Sequence, residues 1–178
     1  MEKTRTSASS WSAQLRSLLN RLASEVGHPL RIAVIGIGNQ FNGDDAAGVL
    51  VVRTLQKKLN QSDHLLLIEG GTAPENVTGR LRRFRPQVVV MVDSAEMGRS
   101  AGSVMLVEVE ALDGLSASTH TLPPSVLAEF LQRELGCRVV LLGIQPETLE
   151  FDAPLSVPVK KAVIHISRAL SRMFGEPS

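Results

Sequence analysis

The sequence predicts an α/β fold, a three-layer α/β/α arrangement around a mixed, mostly parallel five-stranded sheet. Three observations carry this. Strand-like and helix-like segments alternate along most of the chain, as parallel strands joined by crossover helices require. Four of the strand-like segments, Ile32-Ala33-Val34-Ile35, Leu65 to Ile68, Val88 to Val92 and Val139 to Leu142, are unbroken apolar runs, the pattern of strands covered on both faces. A fifth, Ser103 to Glu110, begins to alternate and follows its predecessor with no helix between, which predicts an antiparallel or edge strand.

Taken in order, the first nine residues are polar and serine-rich and predict no fixed structure. From about Ser10, Trp11, Leu15, Leu18 and Leu22 recur on one stripe of an amphipathic helix, with Gly27 and Pro29 placed to stop it. Strand Arg31 to Gly36 is followed by helix Asp44 to Leu59, strand His64 to Glu69, helix Pro74 to Phe84 and strand Gln87 to Asp93. Then come strand Ser103 to Glu110, helix Pro123 to Leu135, strand Arg138 to Gly143 and helix Ser156 to Phe174. In the last helix Val159, Ala162, Val163, Ile166 and Leu170 share a face, Ser156 is a candidate N-cap, and Pro158 fits the first turn. The four continuous runs are expected in the sheet centre.

A length of 178 residues suits one domain. The net charge of +1 offers no field to draw in nucleic acid or an anionic membrane, and 3% aromatic content leaves few stacking platforms for single strands. The one cysteine, Cys137, cannot form an intramolecular disulfide and lies in an apolar run, which predicts a buried, inert thiol and a reducing compartment. No signal-type stretch or run of about 20 apolar residues occurs, so the expected location is the cytoplasm, with no membrane partner.

Ligands of such sheets bind beyond the carboxyl ends of the strands. Four segments lie there: Gly36 to Asp45, Glu69 to Asn76, Asp93-Ser94 and Gly143 to Glu147. Gly36-Ile37-Gly38 invites a dinucleotide-binding interpretation, but Phe41 replaces the third glycine and Asp44 and Asp45 would repel a pyrophosphate at the helix start. No nucleotide cofactor is expected. Asp44 reads as an N-cap of its own helix, whereas Asp45, a second acid on the same turn, is costly without a nearby cation or donor and is the better functional candidate. Asp93 ends the most apolar strand, where a carboxylate is desolvated unless paired, bonded or liganded. His120 precedes a helix, and alone a histidine there is more often a surface or capping group. Together, Asp45, Asp93 and His120 form a ligand mix suited to a borderline divalent metal with open positions. Ser94 has no neighbouring base to mark it as a nucleophile.

The strings Gly36-Ile37-Gly38-Asn39, Asp44-Asp45, Gly48, Glu69-Gly70-Gly71-Thr72-Ala73-Pro74-Glu75-Asn76, Val92-Asp93, Thr119-His120 and Gly143-Ile144-Gln145-Pro146 resemble the nickel-iron hydrogenase maturation endopeptidases, in particular the formate-hydrogenlyase (hydrogenase 3) type. The resemblance runs from about Arg31 to the last helix, implying a peptidase domain at 31–178, with 1–30 a tail and extra helix outside it.

The resemblance implies an aspartic-type endopeptidase that removes a C-terminal extension from the hydrogenase large-subunit precursor after nickel insertion. Asp45, Asp93 and His120 stand where that family contacts metal, Asp45 and Asp93 are the implied catalytic acids, and Gly38, Asn39, Gly70, Gly71 and Thr72 the implied substrate contacts. Glu69 stands where the family often has Asp. Nickel held by the precursor's cysteines would be a recognition element, with an Asp acting as general base; polarisation of the scissile carbonyl by the metal is the second possibility. Three ligands, two of them hard carboxylates, favour the first, because substrate thiolates would complete the coordination. The rivals are a nickel-dependent chaperone that binds the precursor without cutting and a nucleotide-binding Rossmann-like enzyme. Arg80, Arg82, Arg83 and Arg85 predict a solvated helix end rather than a substrate patch.

Overall fold

The structure, a computed structural model, describes residues 10–108 and 123–175. Helix α1 (Trp11–Val26) starts at Ser10, whose hydroxyl accepts the Ala13 N–H, and ends at Gly27 in the left-handed conformation. It leads into β1 (Ile32–Ile37), a 3-10 turn (Gly43–Ala46) and α2 (Ala47–Gln56). Then follow β2 (Leu65–Gly71), a second 3-10 turn (Pro74–Val77), α3 (Thr78–Phe84) and β3 (Val88–Ser94). The remaining elements are β4 (Val104–Glu108), α4 (Pro124–Leu135), β5 (Arg138–Ile144) and α5 (Val157–Phe174).

The five strands form one sheet in the order β2-β1-β3-β5-β4. All neighbours are parallel except β4, which runs antiparallel to β5 at the edge, as its alternating sequence predicts. Residues of α1, α2 and α5 share an apolar cluster with one face of the sheet, and residues of α3 and α4 share another with the opposite face. Strand residues divide between the clusters by alternation: Val88, Val90 and Val92 face one, Val89 and Met91 the other.

Helix α1 belongs to the packed body. Trp11, Leu15, Leu18 and Leu19 are buried against α5 and the sheet, and Trp11 meets His165 edge-on with ring centroids 5.9 Å apart. Each large side chain so buried contributes about 1.5–3 kcal/mol. Cys137 is buried, and desolvation pushes its thiol up to about 11, which keeps it protonated and inert.

Three expectations need correction. The run Leu65 to Ile68 does not place β2 in the centre: β2 is the other edge strand. An apolar run reports helices covering both faces, not strands on both sides, and Leu65, Leu67 and Ile68 are buried by such cover. The predicted helices 44–59 and 74–84 both open with a 3-10 turn, and the first ends at Gln56. Finally, Asp44 does not cap its own helix. Asn42 holds the cap position without a side-chain bond, and the Asp44 carboxylate bonds to a distant segment.

Candidate active site at the carboxyl ends of β1 and β3

Strand β1 lies between β2 and β3: the crossover through α2 leads from β1 out to β2 on one face, and the crossover through α3 returns from β2 past β1 to β3 on the other. The gap between the ends of β1 and β3 is therefore a topological switch point, where open α/β sheets bind ligands. Asp45 follows β1, and Asp93 is the penultimate residue of β3. The sheet connectivity brings these two acids together.

Two glycines permit the close approach. A Cβ on Gly48, at the start of α2, would sit 2.1 Å from the Val92 carbonyl oxygen and 2.4 Å from that of Ile37, so only glycine lets this helix press onto both strand ends. Gly38 has φ of +127°, and a Cβ there would lie 1.8 Å from the Asp45 carbonyl oxygen. The loop is thus folded over Asp45.

Asp45 is 7% exposed and both of its carboxylate oxygens are engaged. The Asn39 N–H donates to Oδ2 at 2.8 Å, and the Ser94 hydroxyl donates to Oδ1 at 2.9 Å. Asn39 fixes the same loop from its other end, its Oδ1 accepting the Phe41 N–H at 3.0 Å. Asp93 is 8% exposed, and its carboxyl is pushed up to about 8. Burial is the main cause and repulsion from Asp45 the second, opposed by a hydrogen bond from the Ser94 backbone. Among the described residues no lysine or arginine forms an ion pair with either acid. A buried carboxyl pair in this state gains from any cation that arrives to share it.

Beside this pair lies a cleft of about 330 Å³. Its wall includes Gly38, Asn39, Gly70, Gly71 and Thr72, the five residues expected to touch substrate, together with Phe41, Arg53 and Glu69. The cleft and the acids are separated by the 38–39 backbone, through which the Asn39 N–H reaches Asp45. The glycines differ in what they do there. Gly71, at φ of +59°, has nothing within 4 Å of a would-be Cβ and leaves the backbone open to a visiting chain, whereas Gly70 packs against Ile35 and Pro74. His120 lies outside the described residues, so its place relative to Asp45 and Asp93 is not part of this geometry.

Several contributors were not assigned a role from the sequence. Ser94 holds Asp45, and Glu69 pairs with Arg53 at 2.7 Å on the cleft wall. Gln145 is buried, and its Oε1 accepts the Met97 and Arg99 N–H groups while its amide donates to Glu96, fastening the loop after β3. Asp44, wholly buried, accepts from the N–H groups of Glu147, Thr148 and Ser156 and from the Ser156 hydroxyl at 2.7–3.2 Å. It ties the loop after β1 to the start of α5. The four arginines of α3 and its C-cap are exposed, and Arg82 pairs with Glu134 of α4, in keeping with a solvated helix end.

Asp44 and Asp45 fill the first turn ahead of α2, and Asp45 takes the Asn39 N–H. Among the described residues no helix is long and apolar enough to cross a membrane.

Comparison with known proteins identifies the family. The family model described as HycI, hydrogenase maturation protease, matches residues 49–172. The chain is 32% identical over 140 residues to the hydrogenase 3 maturation protease of Escherichia coli K12, covering 78% of this chain and 88% of that one. The crystal structure of a NiFe hydrogenase maturation protease HycI from Thermococcus kodakarensis superposes with a TM-score of 0.74 at 29% identity, over 86% of this chain and 97% of that one. The solution structure of the endopeptidase HycI from Escherichia coli gives 0.72, also at 29% identity, over 82% and 92%. By sequence and by fold, the chain belongs to the hydrogenase maturation protease family.

Proposed function

We propose that this chain removes the C-terminal extension of a nickel-iron hydrogenase large-subunit precursor once nickel is in place, using Asp45, Asp93 and His120 to engage nickel carried by the precursor. The observation that carries this is the pair of buried acids, Asp45 and Asp93, at the switch point beside an open cleft and without a cationic partner among the described residues. Asp93, buried beside the charge of Asp45, gains most in such a pair from a cation that arrives with the substrate. Thiolates of the precursor would supply the softer part of the coordination, so nickel serves as a recognition element rather than a resident cofactor.

In this scheme the cleft lined by Gly38, Asn39, Gly70, Gly71 and Thr72 receives the extended peptide, with the open backbone at Gly71 allowing main-chain contact. The catalysis is of the aspartic type. Asp45, held rigidly by Ser94 and Asn39, presents a fixed carboxylate. Asp93 takes a proton from the attacking water as general base; the value of about 8, raised by burial and by Asp45, is that of the metal-free site.

The test is to incubate the purified chain with nickel-loaded and nickel-free precursor and weigh the precursor's C-terminus by mass spectrometry. Mass loss confined to the loaded form is expected. A purified enzyme that retained stoichiometric metal and cut the nickel-free precursor would remove nickel recognition from the proposal. No mass loss with either form would leave the chaperone as the surviving alternative.

A further inference from the structure

Among the described residues the three most exposed large apolar side chains are Phe151, Val157 and Phe41, at 79%, 66% and 59%. Scattered singly, such residues are ordinary. Here they sit on two segments that are bolted together. Phe41 is on the loop after β1, while Phe151 and Val157 flank the approach to α5. The Asp152 N–H donates to the Phe41 carbonyl at 2.7 Å, and the Asp44 carboxylate joins Glu147, Thr148 and Ser156 to the same loop. The platform is therefore set before any partner arrives, which lowers the ordering cost of binding.

Its charge is as uneven as its polarity. Residues 144–159 contain Glu147, Glu150 and Asp152 but no lysine or arginine, and the exposed Lys160 and Lys161 follow one helical turn beyond Val157. All three acids are exposed, and among the described residues none is in an ion pair. Phe151, with Glu150 and Asp152 on either side of it in sequence, matches a partner with an apolar side chain flanked by the opposite charge. The surface is also continuous with the cleft, because Phe41 belongs to the cleft wall.

We infer that Phe41, Phe151 and Val157, with the acids of residues 147–152 around Phe151, form a docking surface for the hydrogenase large-subunit precursor outside its scissile segment, where Phe151 recognises an apolar side chain flanked by lysine or arginine. This rests on the proteolytic function proposed above. The surface would select the precursor's folded body while the cleft handles its tail.

The test uses the full chain carrying Phe151→Ser and Val157→Ser, with Glu150→Lys as a separate variant, against nickel-loaded precursor. Binding is measured by calorimetry and cleavage by timed mass spectrometry. The double variant is expected to weaken precursor binding and raise KM by about tenfold with kcat unchanged, since loss of interface anchors acts on affinity. Its thermal midpoint should not move, because both side chains face solvent. Glu150→Lys should slow association and flatten its dependence on salt. Unchanged binding and KM in the double variant would overturn the inference. So would a dimer, seen by sedimentation, that dissociates in the double variant while KM stays put, since the surface would then join two copies of this chain. If the wild-type chain binds precursor without cutting it, the proteolytic proposal fails, and the binding comparison still decides this one.

Discussion

Asp44 and Asp93 are residues of one type, both buried at the same end of one sheet, and their surroundings differ. Asp44 accepts four hydrogen bonds and joins two segments of chain. Asp93 has the Ser94 backbone N–H to set against burial and the nearby Asp45, and its carboxyl rises to about 8. Burial alone therefore does not set the state of an acid; the donors and charges that meet it do.

The sharpest way to break this contrast is Asp93→Asn. Removing a general base should slow processing about a thousandfold, read from the rate of mass loss of nickel-loaded precursor. Stability should move the other way. The folded-state value of about 8 lies above the ordinary carboxylate value of 3.8, so between those limits the folded chain holds a proton that the unfolded chain has released. The metal-free protein should then lose stability as pH rises from about 4 to about 8, and Asp93→Asn should flatten that slope and be the more stable form at pH 8. Denaturant melts at several pH values check both. A variant with wild-type turnover would take Asp93 out of the reaction.

Asp44→Ala should do the reverse, lowering stability by about 3–4 kcal/mol by stranding donors on Glu147, Thr148 and Ser156. The measurement is a urea midpoint at constant m-value. A loss below about 1 kcal/mol would show that the Asp44 joint is not what holds the two segments together.

The same contrast explains what could be read in the sequence. The five strands and their helices were legible because apolar runs and helical stripes are local signals, and β4 gave away its direction by alternation. The edge position of β2 was not, since the helices covering Leu65 to Ile68 hide the absence of a second neighbour. Asp45 and Asp93 could be singled out because their positions after β1 and at the end of β3 are local, and the switch-point rule brings those ends together. The role of Asp44 was illegible for the opposite reason: Glu147 and Ser156 lie 103 and 112 residues further along. Ser94 stood in plain view beside Asp93, but its partner is Asp45, 49 residues earlier. A hydroxyl without a neighbouring base looks idle until folding supplies its acceptor.

Ser94 gives a smaller, more selective test. Its hydroxyl fixes Oδ1 of Asp45, so Ser94→Ala should free that oxygen and cut processing by about tenfold, the worth of one charged hydrogen bond. Because Ser94 is a positioning residue, Ser94→Thr should restore most of the rate if the extra methyl is accommodated. Equal losses in both variants, with lowered melting midpoints, would make Ser94 a packing residue instead.

The smallest effect is expected where the ion pair is most visible. Arg53 and Glu69 meet at 2.7 Å on the cleft wall, and the contact raises the Arg53 guanidinium further above its ordinary value. Their side chains are 39% and 34% exposed, so water competes for both charges. A double-mutant cycle with Arg53→Met and Glu69→Gln should therefore give a coupling below about 1 kcal/mol, decreasing with salt. Geometry as good as that around Asp44 would here be worth far less, because each partner keeps a solvated alternative that a buried carboxylate lacks. A coupling above about 2 kcal/mol would mean that the cleft wall is drier than its exposure implies, and that the Glu69 charge is held for the incoming peptide.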